Sequence, residues 1–154
     1  MSSAFRGKLI ENVLVQQLDT PLSRTASTTL YNGVAATTTS YIDGQGFDEI
    51  IIVLTKGVVT GTASVTTTVV ESADTNPSAA SAVTSASFTT MASGNTGEME
   101  VISLQNKDLK RYLWLKTVKS NVNADAAAWA AVAIKKAKQS VSTTATNVVQ
   151  DLPA

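Results

Sequence analysis

The side chains that carry most catalytic and metal-binding chemistry are missing from this chain. None of its 154 residues is a histidine or a cysteine. Histidine is the usual general base near neutral pH, and cysteine supplies thiolate nucleophiles and zinc ligands. A Ser-His-Asp or Cys-His site is therefore impossible, and neither a nucleophile elbow nor a Walker A phosphate loop occurs. The sequence predicts a protein that is not an enzyme and that binds no cofactor.

Carboxylates are the remaining groups that could act on a ligand. Asp48 and Glu49 are adjacent, so on a strand they would point to opposite faces and could not share one substrate. Glu98 and Glu100 would share a face, where they could hold a hard cation such as Ca²⁺ with loop carbonyls, or simply form a solvated strand edge. Because EF-hand spacing is missing, we prefer the solvated edge and predict no metal site.

Basic residues are interleaved with aromatic residues around Tyr112 and Trp114. Such a surface could stack single-stranded nucleic acid, or the rings could belong to the core with the lysines beside them. The 12 basic and 12 acidic residues give a formal net charge of zero, whereas domains that bind nucleic acid or anionic membranes normally carry a basic excess. We therefore predict neither partner. A second basic cluster, Lys135, Lys136 and Lys138, could dock an acidic partner or be solvated.

The chain carries no pattern that is typical of export or of a membrane span. No apolar stretch of about 7–15 residues follows the N-terminus, so no signal peptide is expected. The longest apolar run, residues 50–54, is far too short to cross a bilayer. Without cysteine no disulfide can form, which fits synthesis in a reducing compartment.

Short segments rich in valine and threonine, separated by Gly, Asn and Ser turns, predict an all-β protein with a single β-sandwich. The predicted strands are residues 34–42, 47–55, 62–72, 87–91, 99–104 and 111–118, with turns at 43–46 and 56–57, a loop at 73–85 and a helical turn at 105–109. Apolar side chains on both sides of residues 47–55 predict a central strand covered on both faces. The expected core centres on Ile50, Ile52, Leu54, Val69, Leu113 and Leu115.

Residues 126–138 give conflicting signals. Alanine and lysine are good helix formers, and Asp125 would suit an N-cap, so composition favours a helix. The preceding strands favour a further strand that closes the sandwich. We prefer the strand, because tertiary context commonly overrides intrinsic propensity.

The two ends of the chain are more polar than the middle. We predict an extended N-terminal arm over residues 1–30, the sandwich over 31–138 and a C-terminal tail over 139–154. Arms of this kind can add a strand to a neighbouring sheet. The predicted partner-binding residues are the apolar side chains of the arm and the second basic cluster: Phe5, Leu9, Ile10, Val13, Leu14, Lys135, Lys136 and Lys138.

The arm occurs together with three strand sequences: GFDEI at 46–50, VVESAD at 69–74 and KRYLWL at 110–115. In this combination the chain resembles, over about residues 34–135, the small auxiliary head proteins of tailed bacteriophages, also called cement or decoration proteins. The resemblance implies a β-sandwich, often jelly-roll-like, without catalytic residues.

The resemblance also implies a place and a partner. Such a protein is made in the host cytoplasm and sits on the outer surface of an icosahedral capsid, commonly as a homotrimer. There it binds the major capsid protein and clamps neighbouring subunits together. Two alternatives remain: another virion module, such as a tail-tube, tail-completion or head-fibre protein, or a carbohydrate-binding adhesin sandwich.

Overall fold

Two antiparallel sheets account for most of the chain. The computed structural model describes residues 13–93, 97–120 and 125–137. Its strands are β1 (Val13–Arg24), β2 (Thr28–Tyr31), β3 (Ile42–Asp43), β4 (Phe47–Val59), β5 (Ser64–Ser72), β6 (Ser81–Ser87), β7 (Met99–Gln105), β8 (Tyr112–Ser120) and β9 (Ala127–Ala137). Two short 3₁₀ helices, Pro77–Ala79 and Asn106–Asp108, lie in the connections, the second where a helical turn is predicted.

The order of the strands is that of a jelly roll. The first sheet has the order β1-β9-β4-β7, and the second has the order β2-β8-β5-β6. The short β3 pairs with β8 on the edge that β2 also uses, so β2 and β3 together act as one interrupted edge strand. Two four-stranded sheets connected in this way are the double-sheet jelly roll, and the predicted β-sandwich is confirmed.

The core fills the space between the two sheets. All six residues predicted to be at its centre are buried, which confirms that prediction. The large inward side chains of β4 lie beside small ones of β9: Ile52 pairs with Ala133, and Leu54 pairs with Ala131. Large and small residues that alternate between neighbours let the layers interdigitate. This packing explains how an alanine-rich segment serves as a strand, as preferred above, rather than as a helix.

The predicted arm differs from the structure between residues 13 and 30. The strand β1 pairs with β9 in the first sheet, and β2 pairs with β8 in the second. A polar residue of this segment is buried with partners: Asp19 accepts a hydrogen bond from Trp129 Nε1 at 2.6 Å and contacts the Arg24 guanidinium at 2.6 Å. Residues 1–12 and the predicted tail, 139–154, lie outside the described residues.

Four further segments differ from the sequence prediction. Residues 34–41 form bends with an isolated bridge at Val34 rather than a strand, and of the predicted strand 87–91 only Ser87 belongs to a strand, while Met91 makes an isolated bridge to Val65. The turn predicted at 56–57 is instead part of β4, where Gly57 lies so close to β9 that a Cβ atom would meet Ala128 at 2.9 Å. Residues 81–85 of the predicted loop belong to β6, which pairs with β5.

Candidate docking surface

The outward side of the first sheet carries three rows of aligned residues across its strands. Side chains of β1, β4, β7 and β9 alternate between the core and the outside, and the register places the outward ones side by side. The rows are Val15, Ile134, Ile51 and Ser103, then Gln17, Val132, Val53 and Val101, then Ala130, Thr55 and Met99. We call these residues the outer face of the first sheet.

The outer face is mainly apolar and open to solvent. Met99 is 67% exposed, Val15 62% and Val101 55%, while Ile51 and Val53 are half-buried between their neighbours. None of the residues in the three rows is charged, and the pair formed by Glu49 and Lys136 stands in the next row at one end. Among the described residues, the cover predicted on both sides of residues 47–55 is therefore found only on the core side. Contiguous apolar patches of this kind mark interaction surfaces.

The start of β1 and the end of β9 meet at one end of the same sheet. Val13 pairs with Lys136, and Leu14 pairs with Lys135. A pocket of about 420 Å³ opens beside them, and it is lined by Phe47, Asp48, Glu49, Gln105, Asn106, Lys107 and Lys136. We call this region, with Val13 and Leu14, the terminal corner, because residues 1–12 precede Val13 and residues 138–154 follow Ala137 there.

The structure brings four of the predicted partner-binding residues together at this corner. Val13, Leu14 and Lys136 are exposed, as an interface requires. Lys135 is only 5% exposed, and its Nζ lies 4.7 Å from the centroid of the Phe47 ring. Burial lowers the pKa of Lys135, so it is not the free surface cation that the sequence suggested. The remaining predicted residues, Phe5, Leu9, Ile10 and Lys138, lie outside the described residues.

The carboxylates considered for a cation are paired with an amine instead. Lys56 Nζ lies 3.1 Å from Glu98 Oε2 and 2.5 Å from Glu100 Oε1, and the Thr89 N–H donates to Glu100 at 2.9 Å. Burial acts to lower the pKa of Lys56, but its hydrogen bonds to the two carboxylates outweigh this and raise it. Across the described ranges, no three Asp or Glu side chains lie close enough together to hold a metal ion.

The aromatic residues of β8 do not form an open stacking platform. Trp114 is fully buried although it points away from the core, because Tyr41 from the loop before β3 packs edge-on against it with ring centroids 6.4 Å apart. Tyr41 also packs against Tyr112, with centroids 4.8 Å apart. The alternative in which Trp114 stacks bases therefore lacks an accessible ring. In the described part of the chain, no helix has the length and apolar character needed to span a bilayer.

The comparisons with known proteins give structural similarity only. No protein-family model matches the chain, and no curated protein matches it. The chain is similar to a VP2 subviral particle of infectious bursal disease virus, with a TM-score of 0.51 and 13% identity over 81% of this chain and 32% of the viral one. It is also similar to a chain of the T13 particle of that virus, with a TM-score of 0.49 and 11% identity over 81% and 31% of the two chains.

A third similar structure belongs to the Bacillus endospore appendages, described as disulfide-linked pili. The TM-score is 0.45, and the identity is 16% over 83% of this chain and 90% of the pilus chain. This chain thus spans about one third of the length of the viral chains that it matches. At such low identity, the likeness to the VP2 particle shows the fold alone, and it agrees with the jelly-roll strand order.

Proposed function

We propose that this protein is a structural component of a virus particle, which binds the outer surface of an icosahedral phage capsid and bridges major capsid protein subunits. The observation that carries the proposal is the terminal corner. There, exposed apolar side chains of β1 and an exposed lysine of β9 adjoin both ends of the described chain. A sandwich whose described chain begins and ends at one corner suits a protein that must reach separate subunits.

The sequence of the N-terminal segment supports this role. Residues 1–12 include Phe5, Leu9 and Ile10, and a segment of this length spans up to ~40 Å when extended. The strand that follows it, β1, is an edge strand of the first sheet. An open edge can pair with a strand of a neighbouring protein, in which main-chain hydrogen bonds supply affinity and side-chain pockets supply specificity.

The fold is compatible with the proposal. Jelly rolls recur in viral capsid proteins, and they also occur in lectins, so the fold alone does not choose between these roles. The chain similar in structure comes from a VP2 subviral particle of infectious bursal disease virus. Apolar and weakly charged contact surfaces suit a permanent position in such an assembly better than a transient encounter.

Particle composition tests the proposal. Virions that encode this chain should contain it at a fixed ratio to the major capsid protein, in the head fraction after heads and tails are separated, and accessible to antibody on intact heads. Shells stripped of the protein should rebind the full-length chain. Recovery in the tail fraction, or no copy in the particle, would contradict the proposal.

Point variants locate the contact. Leu14→Asp should weaken rebinding to stripped shells at least about tenfold, because burying one such side chain stabilises a contact by about 1.5–3 kcal/mol. Val58→Asp is the matched control, since Val58 is equally apolar and exposed but lies toward the opposite end of β4. Equal affinities of the two variants would remove the terminal corner from the contact.

A further inference from the structure

We propose that the outer face of the first sheet is an interface between two copies of this chain, in which two first sheets pack face to face. The inference is independent of the proposed role on a capsid, because it concerns the protein in solution. It starts from the three uncharged rows between Val15 and Met99. An apolar face of this extent promotes association as soon as the chain has folded, and copies of the same chain are the partners present from that moment.

The size of the face suits a weak dimer. Four strands about 4.8 Å apart and three rows about 6.8 Å apart give an area of about 19 Å by 20 Å, or ~400 Å² per copy. Two copies would bury ~800 Å², which is within the range of weak interfaces. Sheets stack about 10 Å apart, and this spacing is filled by side chains of the size of valine and isoleucine.

The distribution of charge favours a second copy as the occupant. Interfaces between identical chains are more apolar than those between chains that also exist apart. The nearest charges, Glu49 and Lys136, stand at one end of the face, so a two-fold stack leaves them at its rim in contact with water. Neither copy then buries an unpaired charge, which would oppose association strongly.

The rest of the surface argues for two-fold symmetry rather than for the trimer that the resemblance implies. A ring of three copies joins one surface to a different one on the next copy. The corresponding surface of the second sheet carries polar residues such as Thr66, Thr68 and Lys116. Packing the outer face against those groups would bury the charged Lys116 without a partner, whereas packing it against its own copy buries no charged side chain.

Analytical ultracentrifugation of the full-length chain tests the inference directly. We expect the mass of a dimer at concentrations of about 100 μM and above, as a weak interface requires, and a shift of at least tenfold in the dissociation constant toward monomer for Val101→Lys and for Val15→Lys. Val58→Lys provides the control, because Val58 is exposed and apolar but outside the three rows. Circular dichroism of each variant verifies folding, and a lysine is well tolerated at an edge strand.

A cross-linking experiment covers the case in which a lysine variant does not fold. The chain contains no cysteine, so Val53→Cys places one thiol at the centre of the face, and Thr66→Cys places one on the second sheet as a control. A short bis-maleimide should join two Val53→Cys chains and leave Thr66→Cys chains separate.

Four results would overturn the inference. They are a monomeric wild-type chain, a dimer that none of the substitutions weakens, a trimer, and a monomer that associates only when residues 2–12 are deleted. The last result would show that the N-terminal segment of the same chain covers the face. None of these results bears on the binding of shells through Leu14, so the two proposals fail separately.

Discussion

The two sheets carry similar residues on their inward sides and different residues on their outward sides. Both bury apolar residues in the core, as the alternation along β4 and β5 requires. On the outside, the second sheet carries mainly polar residues: Thr29, Thr66, Thr68, Ser87 and Lys116. Three aromatic side chains also stand there: Tyr31 and Tyr112 are half-buried, and Trp114 is covered by Tyr41. The first sheet carries valine, isoleucine and methionine outside, and no other described residue covers its exposed Val15, Met99 and Val101.

This difference separates the residues that stabilise the sandwich from residues that its stability does not require. Stability of a two-layer sandwich requires one apolar side per sheet, and the second sheet meets that requirement with an outside whose exposed side chains, such as Thr29, Thr66 and Ser87, are polar. The apolar outside of the first sheet adds nothing to a lone sandwich, and it lowers solubility when exposed. We therefore assign the first outer face to binding and the covered Trp114 to folding, and the predictions below test that division.

The largest effect is expected at Trp114. Trp114→Ala removes a fully buried ring and leaves a cavity under Tyr41, so we expect a loss of about 3–5 kcal/mol in the free energy of unfolding. Val101→Ala, on the other outer face, should change it by less than about 0.5 kcal/mol in dilute monomeric protein. Urea denaturation of both variants measures the contrast. Comparable losses would mean that the first outer face also contributes to the fold.

The sequence predicts the inward sides well and the outward sides poorly. Ile50, Ile52 and Leu54 are recognisable because they alternate within a long apolar run between turn residues, and their burial follows from that period alone. Ile51 and Val53 belong to the same run, and the run predicts that they are covered. Sequence periodicity cannot distinguish cover by a second layer of the same chain from cover by another chain.

The N-terminal region shows a second limit of prediction from the sequence. Gln16 to Thr20 is a polar stretch that indicates an arm, yet Asp19 is buried against Trp129, 110 residues away in the chain. Long-range pairs of this kind leave no local signal. The burial of Lys135 is equally hard to predict from the local sequence, because its contact with Phe47 depends on the register between β4 and β9. Val13, Leu14 and Lys136 are placed together as the docking prediction requires, and their role in binding remains a prediction.

Adjacent residues of β4 allow the stability contributions of an inward and an outward side chain to be compared within one strand. Ile52→Ala should lower the free energy of unfolding by about 2–5 kcal/mol, because its side chain is fully buried in the core. Val53→Ala changes the neighbouring, outward residue and should have less than half that effect in dilute protein. Thermal and urea unfolding provide the measurement. If Val53→Ala destabilised the monomer as much as Ile52→Ala, the first sheet would have a second buried side within one chain.

The core side of the first sheet should also respond to acid. Hydrogen bonds from Lys56 and Thr89 outweigh the effect of burial and hold the pKa of Glu100 below its ordinary 4.5. Since the folded pKa is the lower one, the stabilisation is present above about pH 4.5 and is lost as pH falls through the folded value. Glu100→Gln should lower stability at neutral pH by about 1–3 kcal/mol and flatten this acid dependence.

A matched variant shows whether the effect belongs to this ion pair. Glu98 contacts the same amine at 3.1 Å but is more exposed than Glu100, 48% against 27% for the side chains. Glu98→Gln should therefore have a smaller effect at neutral pH, because water screens exposed pairs. Unfolding curves recorded between pH 3 and 7 compare the two. An acid dependence that persists unchanged in Glu100→Gln would assign it to other carboxylates.

The smallest effect on stability is expected where the first outer face is made to resemble the second. The double variant Val15→Thr and Val101→Thr keeps β-branched side chains at exposed strand positions, so strand preference is retained and the unfolding free energy of dilute protein should change by less than about 0.5 kcal/mol. Association should respond more strongly, because the hydroxyl groups would be desolvated in a stacked dimer.

A dimer makes the melting temperature rise with protein concentration. We expect that dependence for the wild-type chain and its loss in the double variant. A large fall in monomer stability would instead show that these side chains pack within one chain, and the contrast between the two outer faces would disappear.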